Sequence, residues 1–273
     1  MLSRAYRGEE KPLKRILPEL FKEIPYSEIC ALLRRKDVKV DGKRVSDGNF
    51  SVSDGSEIII YPRIKKSVIV VYEDEHILVC NKPKGIPTTG ENSYEMLVKA
   101  EKGDSLVVMH RLDTNTDGLL LFAKDKVAQE EIFKAIKDGR IEKGYIAEVY
   151  GHPRAQKETT LRYFYKKNEE EKRAIISKEA RPAFLPVEIS IRVLREKEDT
   201  SVLHVTLHKG KMHQIRAMLA AYGYFIVGDG KYGNDQINKC LCVKKHLLTA
   251  TELHFHFSAN SPLFYLNSQK VSL

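Results

Sequence analysis

The spacing of apolar residues changes character along this chain, and the changes predict its elements. Leu13, Ile16, Leu17, Leu20 and Phe21 recur at intervals of three and four, the signature of a helix with one buried stripe. Pro25 breaks that pattern, and Ser27 is placed to cap a second helix over 28–35. Short alternating runs follow at 38–40 and 57–61, with Asp41-Gly42 and Asp54-Gly55 as turn signals, so a small hairpin is expected. The basic stretch 62–67, led by Pro62, reads as a linker.

Beyond the linker the runs are longer. Residues 118–123 are continuously apolar, as expected of a strand covered on both faces, and 115–118 ahead of them carry turn chemistry. Residues 143–151 alternate, with Tyr145 on one face. A basic, amide-rich turn at 210–216 leads into an apolar helix-like stretch, and 227–233 is a glycine-punctuated loop. The charged run 166–173 reads as a solvated hairpin tip. The pattern as a whole predicts an α+β protein. A small helical-plus-hairpin domain (1–66) precedes a larger domain (67–273) built on a mixed, largely antiparallel sheet with flanking helices.

Charge narrows the partner. The 273 residues hold 46 Lys and Arg against 37 Asp and Glu, a formal +9, which favours a polyanion through phosphate contacts, although a membrane surface would also attract it. Residues 1–66 alone hold 15 Lys and Arg against 10 acids, so +5 of the excess lies in a quarter of the chain. Arg34, Arg35, Lys36, Lys39, Lys43 and Arg44 form its densest patch, suited to an RNA backbone. No apolar run approaches the roughly 18 residues that span a bilayer, and 1–14 lacks an apolar signal-peptide core, so a soluble, cytoplasmic protein is expected.

Metal and redox chemistry find little support. Cys30, Cys80, Cys240 and Cys242 are too few and too irregularly spaced for a zinc cage or a disulfide framework. Cys240 and Cys242 fall on one side of an alternating stretch, 239–243, and read as ordinary thiols. His254 and His256 lack a third ligand at a usual spacing and read as strand residues. No cofactor and no metal are expected, and monomer is the default oligomeric state.

One carboxylate stands out. Asp113 lies in a tight polar turn just ahead of the apolar strand, so a rigid neighbour holds it at a loop edge, as a scaffold holds a catalytic group. The same residues also suit an Asx turn whose Asp bonds nearby amides.

Four segments in order, HRLDTNTDGLLL (110–121), KGYIAEVYG (143–151), GKMHQIR (210–216) and GDGKYG (228–233), resemble the RluA-type pseudouridine synthases. The stretch 70–85, ending in Lys82-Pro83-Lys84-Gly85, resembles that family's first strand and its lysine-proline-glycine turn, and the likeness spans 67–257. YSEICALLRRKDVKVDGKRV (26–45) is similar to the S-four RNA-binding domain, named for ribosomal small-subunit protein four.

The resemblance implies isomerisation of specific uridines in structured ribosomal or transfer RNA, ribosomal favoured. The bond from uracil nitrogen to ribose is cut, the held base turns, and a ring carbon bonds the same sugar carbon. Asp113 matches the catalytic Asp, as nucleophile on the sugar or as base toward a neighbouring sugar proton. An ionised Asp in a dry pocket needs a partner charge, and Arg216 matches the family's basic residue there. Tyr145 matches the active-site Tyr, which stacks on the detached uracil and can serve in the final proton removal. Arg111 matches the position that fills the space of the extruded base, and His110 supports the loop. Lys211, His213 and Gln214 complete the expected substrate contacts. Three positions depart from the family pattern: Lys211 stands where Arg is common, Asp117 where Ser is common, and Met218 where a His is expected, leaving the branch between RluA-type and RsuA-type open.

Two other classes compete. A catalytically inactive RNA-binding or ribosome-associated protein would explain the charge and the first domain without needing Asp113, Tyr145 and Arg216. A glycoside hydrolase would need a second positioned carboxylate, for which Asp117 or Asp229 could be nominated.

Overall fold

In a computed structural model of the full chain, residues 2–22, 24, 26–61, 68–154 and 158–273 are described. The chain divides into two compact units, Met1–Ser67 and Val68–Leu273. The stretch expected as a linker, 62–67, lies outside the described residues.

The first unit opens with β1 (Leu2–Ala5) and β2 (Lys11–Pro12), then α1 (Leu13–Leu20) and α2 (Tyr26–Arg34). The expected stripe is the one α1 buries, through Leu13, Ile16 and Leu17. α2 starts at Tyr26, so Ser27 falls inside the helix and not at its cap position, and Glu28 supplies the negative charge that the first turn favours. The chain continues through β3 (Val38–Val40), β4 (Lys43–Arg44), β5 (Ser51–Val52) and β6 (Glu57–Ile60). β3 and β4 form a hairpin closed by Asp41 and Gly42, both with positive φ, which a two-residue turn of right-handed twist requires. β1, β6, β3 and β4 make one antiparallel sheet, in that order, and β2 pairs β5 separately. Ile58 and Ile60 of β6 close this core against Leu13, Leu17, Phe21 and Leu32.

The second unit begins with β7 (Ile69–Glu73), β8 (Ile77–Lys82), α3 (Tyr94–Lys102) and β9 (Val107–Val108). β10 (Asp117–Ala123), α4 (Lys126–Asp138) and β11 (Ile141–Tyr150) follow, then β12 (Thr159–Asn168), β13 (Arg173–Ser177), β14 (Leu185–Glu196) and β15 (Thr200–Leu207). α5 (Gln214–Tyr222), α6 (Asp235–Cys240), β16 (Leu248–Phe255) and β17 (Lys270–Ser272) complete it. One sheet of eleven strands runs β13-β12-β14-β15-β11-β16-β10-β8-β7, with β17 on β16 and β9 on β10. Its pairings are antiparallel except for β10 with β16.

β10 explains the continuous apolar run. Leu120 and Phe122 join the core on one face of the sheet, while Leu119, Leu121 and Ala123 join the core on the other. Period-two alternation disappears because neither face meets water. Gly118 opens the strand at φ +115°, where a Cβ would lie 2.1 Å from the Ala250 carbonyl oxygen. Only glycine permits this close parallel crossing, which sets the strand directly after the Asp113 turn.

The expected alternating stretch at 239–243 takes a different form. Asn234 caps α6 by accepting from the Gln236 and Ile237 amides, the helix runs through Cys240, and Cys242 adopts φ +55° beyond its end. Among the described residues, no group of three or more His, Cys, Asp or Glu lies close enough to hold a metal ion. Nor, among them, is any helix long and apolar enough to cross a membrane.

Candidate active site

The Asp113 turn is held from three directions. The Asp113 carbonyl accepts from the Thr116 amide at 3.0 Å, closing the turn itself. On the N-terminal side, the Thr88 hydroxyl donates to the Leu112 carbonyl at 2.7 Å and accepts from the Leu112 amide at 3.1 Å. The lysine-proline turn after β8 supplies a second clamp, with the Gly85 amide on the Thr114 carbonyl at 2.7 Å. Buried Lys82 fixes that turn by donating to the Ile86 carbonyl at 2.9 Å. On the C-terminal side, the Thr116 hydroxyl meets His246 Nε2 at 2.8 Å, and Asp117 accepts from the Thr249 hydroxyl at 2.8 Å. Lys84 joins the last two by donating to the His246 carbonyl at 3.0 Å while lying 3.6 Å from Asp117.

Opposite this turn stands Arg216, in the first turn of α5. His213 precedes the helix at φ +56°, bending the chain so that Arg216 points inward and is buried. Arg216 Nη1 donates to Asp113 Oδ2 at 2.7 Å, while Nε and Nη2 donate to the two oxygens of Asp229 at 2.7 and 2.8 Å. The guanidinium fork thus grips one carboxylate in bidentate fashion and reaches a second with its remaining arm. Asp229 is fully buried and also accepts from the Lys231 and Tyr232 amides at 2.9 and 3.1 Å. Burial alone would raise the Asp229 carboxyl, but Arg216 and these amides outweigh it and hold the group below its ordinary range. Burial likewise opposes the charge on Arg216, and the two carboxylates overcome it, raising its pKa.

An aromatic wall completes the support. The Tyr232 ring lies 5.3 Å from the Arg216 guanidinium and 5.2 Å from that of Arg173, both within cation–π range. The Tyr232 hydroxyl accepts from the Ala174 amide at 2.6 Å and meets His213 Nδ1 at 3.0 Å. Arg173 also donates to the Lys231 carbonyl at 2.6 Å. The charged run 166–173, expected as a solvated tip, therefore docks its last residue onto the 229–233 loop. Its other charges stay outward, and Arg173 turns in because a carbonyl and a ring face await it.

Tyr145 is buried on β11, just past a bulge between Gly144 and Tyr145 of the kind that re-aims a side chain. Burial pushes its phenol pKa up, and the negative charge of Asp113 adds to the effect, so the two groups sense one another and the phenol is protonated at neutral pH. His213 Nε2 lies 3.9 Å from Asp113 Oδ2, too far for a hydrogen bond, and burial lowers its pKa despite that carboxylate.

The remaining expected contacts separate into two groups. Arg111 and Lys211 are exposed. Gln214 instead is 2% exposed, accepting from the Lys211 amide and donating to the Glu188 carbonyl. Both ends of its amide are occupied in shaping the turn. His110 Nε2 accepts from the Leu121 amide at 3.2 Å, and burial pushes the imidazole pKa down to about 3. Its Nδ1 is buried with no hydrogen-bond partner among the described residues.

In the first unit, Arg34, Lys36, Lys43 and Arg44 are exposed. Arg35 is a brace, donating to Glu28 at 2.7 Å and to Asp37 at 3.1 Å. Lys39 extends over the Tyr61 ring, 6.0 Å from its centre.

Sequence reasoning missed the supports. Asp229, Tyr232, His246 and Lys84 carry the geometry. Asp229 and Tyr232 lie in the GDGKYG segment and Lys84 in the lysine-proline turn, but nothing in the sequence marked them as supports of Asp113. The role of Asp229 also removes it as the second acid of a glycoside hydrolase, because a buried carboxylate held by a bidentate Arg is not free to give a proton. Asp117, engaged by Thr249 and facing Lys84, is no better candidate.

Comparison with known proteins decides the class. The family model described as RNA pseudouridylate synthase matches residues 76–221, more than half of the chain. The chain belongs to the RNA pseudouridylate synthase family. The synthase is thus an isomerase that acts on RNA. The match includes Asp113, Tyr145 and Arg216 and stops before Asp229 and His246. Among curated relatives, "Ribosomal large subunit pseudouridine synthase C" of Buchnera aphidicola subsp. Schizaphis graminum (strain Sg) is 27% identical over 272 residues, covering 88% of this chain and 83% of that one. The protein of the same name from Escherichia coli (strain K12) is 27% identical over 247 residues, covering 81% of the synthase and 75% of its own length. Among solved structures, human RNA pseudouridylate synthase domain containing 1 superposes with a TM-score of 0.61 at 21% identity, covering 78% of this chain and 92% of that one. Human RNA pseudouridylate synthase domain containing 4 gives 0.56 at 19%, covering 68% and 84%. These likenesses agree with the α+β architecture and its largely antiparallel sheet.

Proposed function

We propose that the synthase converts specific uridines of structured RNA, ribosomal RNA above others, to pseudouridine with Asp113 as the catalytic carboxylate. The observation that carries this reading is the arrangement Asp113–Arg216–Asp229 beside buried Tyr145. Asp229 saturates two arms of the guanidinium, so Arg216 cannot swing away, and its third arm aims Asp113 through Oδ2. Asp113 Oδ1 is then the atom offered to the sugar.

Either role of the carboxylate, attack on the anomeric carbon or removal of a neighbouring sugar proton, starts from the same ionised group. Cleavage leaves the electron pair of the glycosidic bond on uracil nitrogen. The base turns in place and its C5 bonds the anomeric carbon as the Asp113–sugar bond breaks, or as the sugar proton returns from Asp113. The C5 proton is then lost while the nitrogen freed from the sugar takes one up, so no net proton is gained or lost. Tyr145 offers its ring face to the base throughout. It enters protonated, so its oxygen takes the C5 proton only as its own hydrogen passes on to solvent, from which the freed uracil nitrogen is protonated. The uridine must first leave its stack, which costs a few kcal/mol, and exposed Arg111, two residues before Asp113, is the side chain that fills the gap.

The first unit reads as the S-four-like RNA-binding domain of the enzyme. Two short helices and a hairpin present Arg34, Lys36, Lys43 and Arg44 outward, where they suit phosphates. Ribosomal RNA is favoured because the relatives of similar length are named for the ribosomal large subunit. Action in the cytoplasm, as a monomer and without a cofactor, completes the reading. Mapping pseudouridines in total RNA from cells with and without the protein tests it. Loss of one or a few sites in ribosomal RNA, restored by wild type and not by Asp113→Ala, is the expected result. An unchanged map would overturn it in favour of RNA binding without catalysis.

A further inference from the structure

Beside the Asp113 turn runs a groove that the reaction chemistry leaves unused. Its volume is about 700 Å³, and its walls include Met109 and Arg111 on one side and Lys126, Glu130 and Phe133 of α4 on the other. That size is within the roughly 300–1,000 Å³ of typical ligand pockets. Both walls are rigid. β9, which leads into Met109, pairs with β10 through Val107 and Val108, and α4 is capped by Asp125 and packs Ala128, Ile132 and Ala135 into the core.

Phe133 is the residue that calls for an explanation. It is 65% exposed on a helix whose buried stripe runs along another face, so it does not serve the core. Lys126 and Phe133 sit seven residues apart, two turns along one side of α4, with Glu130 between them. Arg111 and Lys126 give the groove its positive end, and Arg111 is two residues from Asp113, at most about 7 Å of extended chain, on the order of one nucleotide step. Glu130 accepts hydrogen bonds and repels phosphate, so the Phe133 end suits a base with an exocyclic amino group.

We propose that this groove seats an unpaired nucleotide flanking the target uridine, with its base stacked on Phe133 and its phosphate drawn to Lys126, while Arg111 beside it fills the space the uridine leaves. The inference rests on the reading of the protein as an enzyme acting on folded RNA, and it adds a specificity site outside the catalytic turn. Stacking on an exposed aromatic is how single-stranded nucleic acid is held without a duplex.

The test reads binding and contact separately from catalysis. The full-length protein is titrated with a fluorescein-labelled, mixed-sequence single-stranded RNA of about a dozen nucleotides, and then crosslinked by ultraviolet light to the same RNA carrying 5-iodocytidine. Phe133→Ala should weaken binding by about fivefold or more, the low end for loss of one aromatic–base stack, while Phe133→Trp should restore it. The crosslink should fall on Phe133 in the wild type and vanish in Phe133→Ala. Phe133 is exposed, so both variants should fold as the wild type does. Affinity of Phe133→Ala within twofold of wild type, or crosslinks confined to other segments, would overturn the proposal. Failure of the enzymatic reading would show instead as a missing pseudouridine, which this assay does not measure.

Discussion

Arg216 donates to Asp113 across 2.7 Å with the one arm of its guanidinium that Asp229 leaves over. The aim of the half-buried carboxylate is thus set by a fully buried one. Asp229 belongs to the support of the site and Asp113 to its working edge.

Arg216→Lys keeps a charge and loses the fork. A single ammonium cannot satisfy both oxygens of Asp229 and also reach Asp113, so a buried carboxylate is left short of partners. A loss of about 3 kcal/mol in stability is expected, in the range for breaking a buried pair. Turnover should fall at least about 100-fold, the lower end for removing an oriented catalytic group. Urea denaturation and single-turnover rates on the mapped RNA measure the two effects.

Asp229→Asn should separate support from chemistry. The amide keeps the volume but neither accepts the fork at both atoms nor balances the buried cation. Activity should drop although no group touching the substrate has changed, and the melting temperature should drop with it.

Acidification should weaken the fold in a defined window. His246 is 3% exposed, and burial pushes its pKa down to about 4, below the ordinary value near 6.5. Between those values the unfolded chain binds the proton and the folded one does not, so stability rises with pH across the window and is complete above it. The full effect is up to about 3 kcal/mol at 1.36 kcal/mol per unit. Asp229, with its lowered pKa, adds a loss only below about pH 4, the ordinary carboxylate value. Denaturation midpoints from pH 7.5 to pH 5 should fall in the wild type and fall less steeply in His246→Gln, where buried His110 and His213 still titrate across the same window.

Much of this architecture was legible because single residues had no alternative. Gly118 had to be glycine where β10 crosses β16, and the apolar run behind it had to be covered twice. The hairpin at Asp41-Gly42 followed from turn chemistry alone. The link from Asp113 to Arg216 spans 103 positions and has no periodicity to reveal it, so only the motif resemblance brought the two together. The supporting role of Asp229 stayed hidden although its motif was noticed, because burial and pairing leave no mark in the sequence around a lone acid. Arg173 was lost in a charged run whose other members do face water. At 239–243 the alternation of Cys240 and Cys242 is incidental, because Asn234 caps a helix that runs through Cys240.

Gly118→Ala tests that first point. The added carbon would lie 2.1 Å from a backbone oxygen at φ +115°, so the strand crossing must shift. Destabilisation of at least about 4 kcal/mol, in the tail reserved for such clashes, should appear as poor soluble yield or a large fall in melting temperature.

The basic patch should divide by geometry. Replacing Arg34, Lys36, Lys43 and Arg44 with Ala should flatten the salt dependence of RNA binding, by up to about 0.9 in log–log slope for each phosphate no longer neutralised. Arg35→Ala should leave that slope nearly unchanged and lower the melting temperature, because Arg35 is engaged by Glu28 and Asp37. Titrations from low to moderate salt distinguish the two.

The central claim is that the Asp113 carboxylate performs the chemistry while Arg216 aims it. Asp113→Asn keeps the size and a hydrogen-bonding oxygen but removes the charge. Its single-turnover rate of pseudouridine formation, measured with saturating enzyme on the mapped RNA, tests the claim most directly. The account predicts a loss of at least about 1,000-fold, within the span for an essential acid–base or nucleophilic group, with RNA affinity within a factor of about two of wild type. Turnover within tenfold of wild type would contradict it and move the chemistry to another residue.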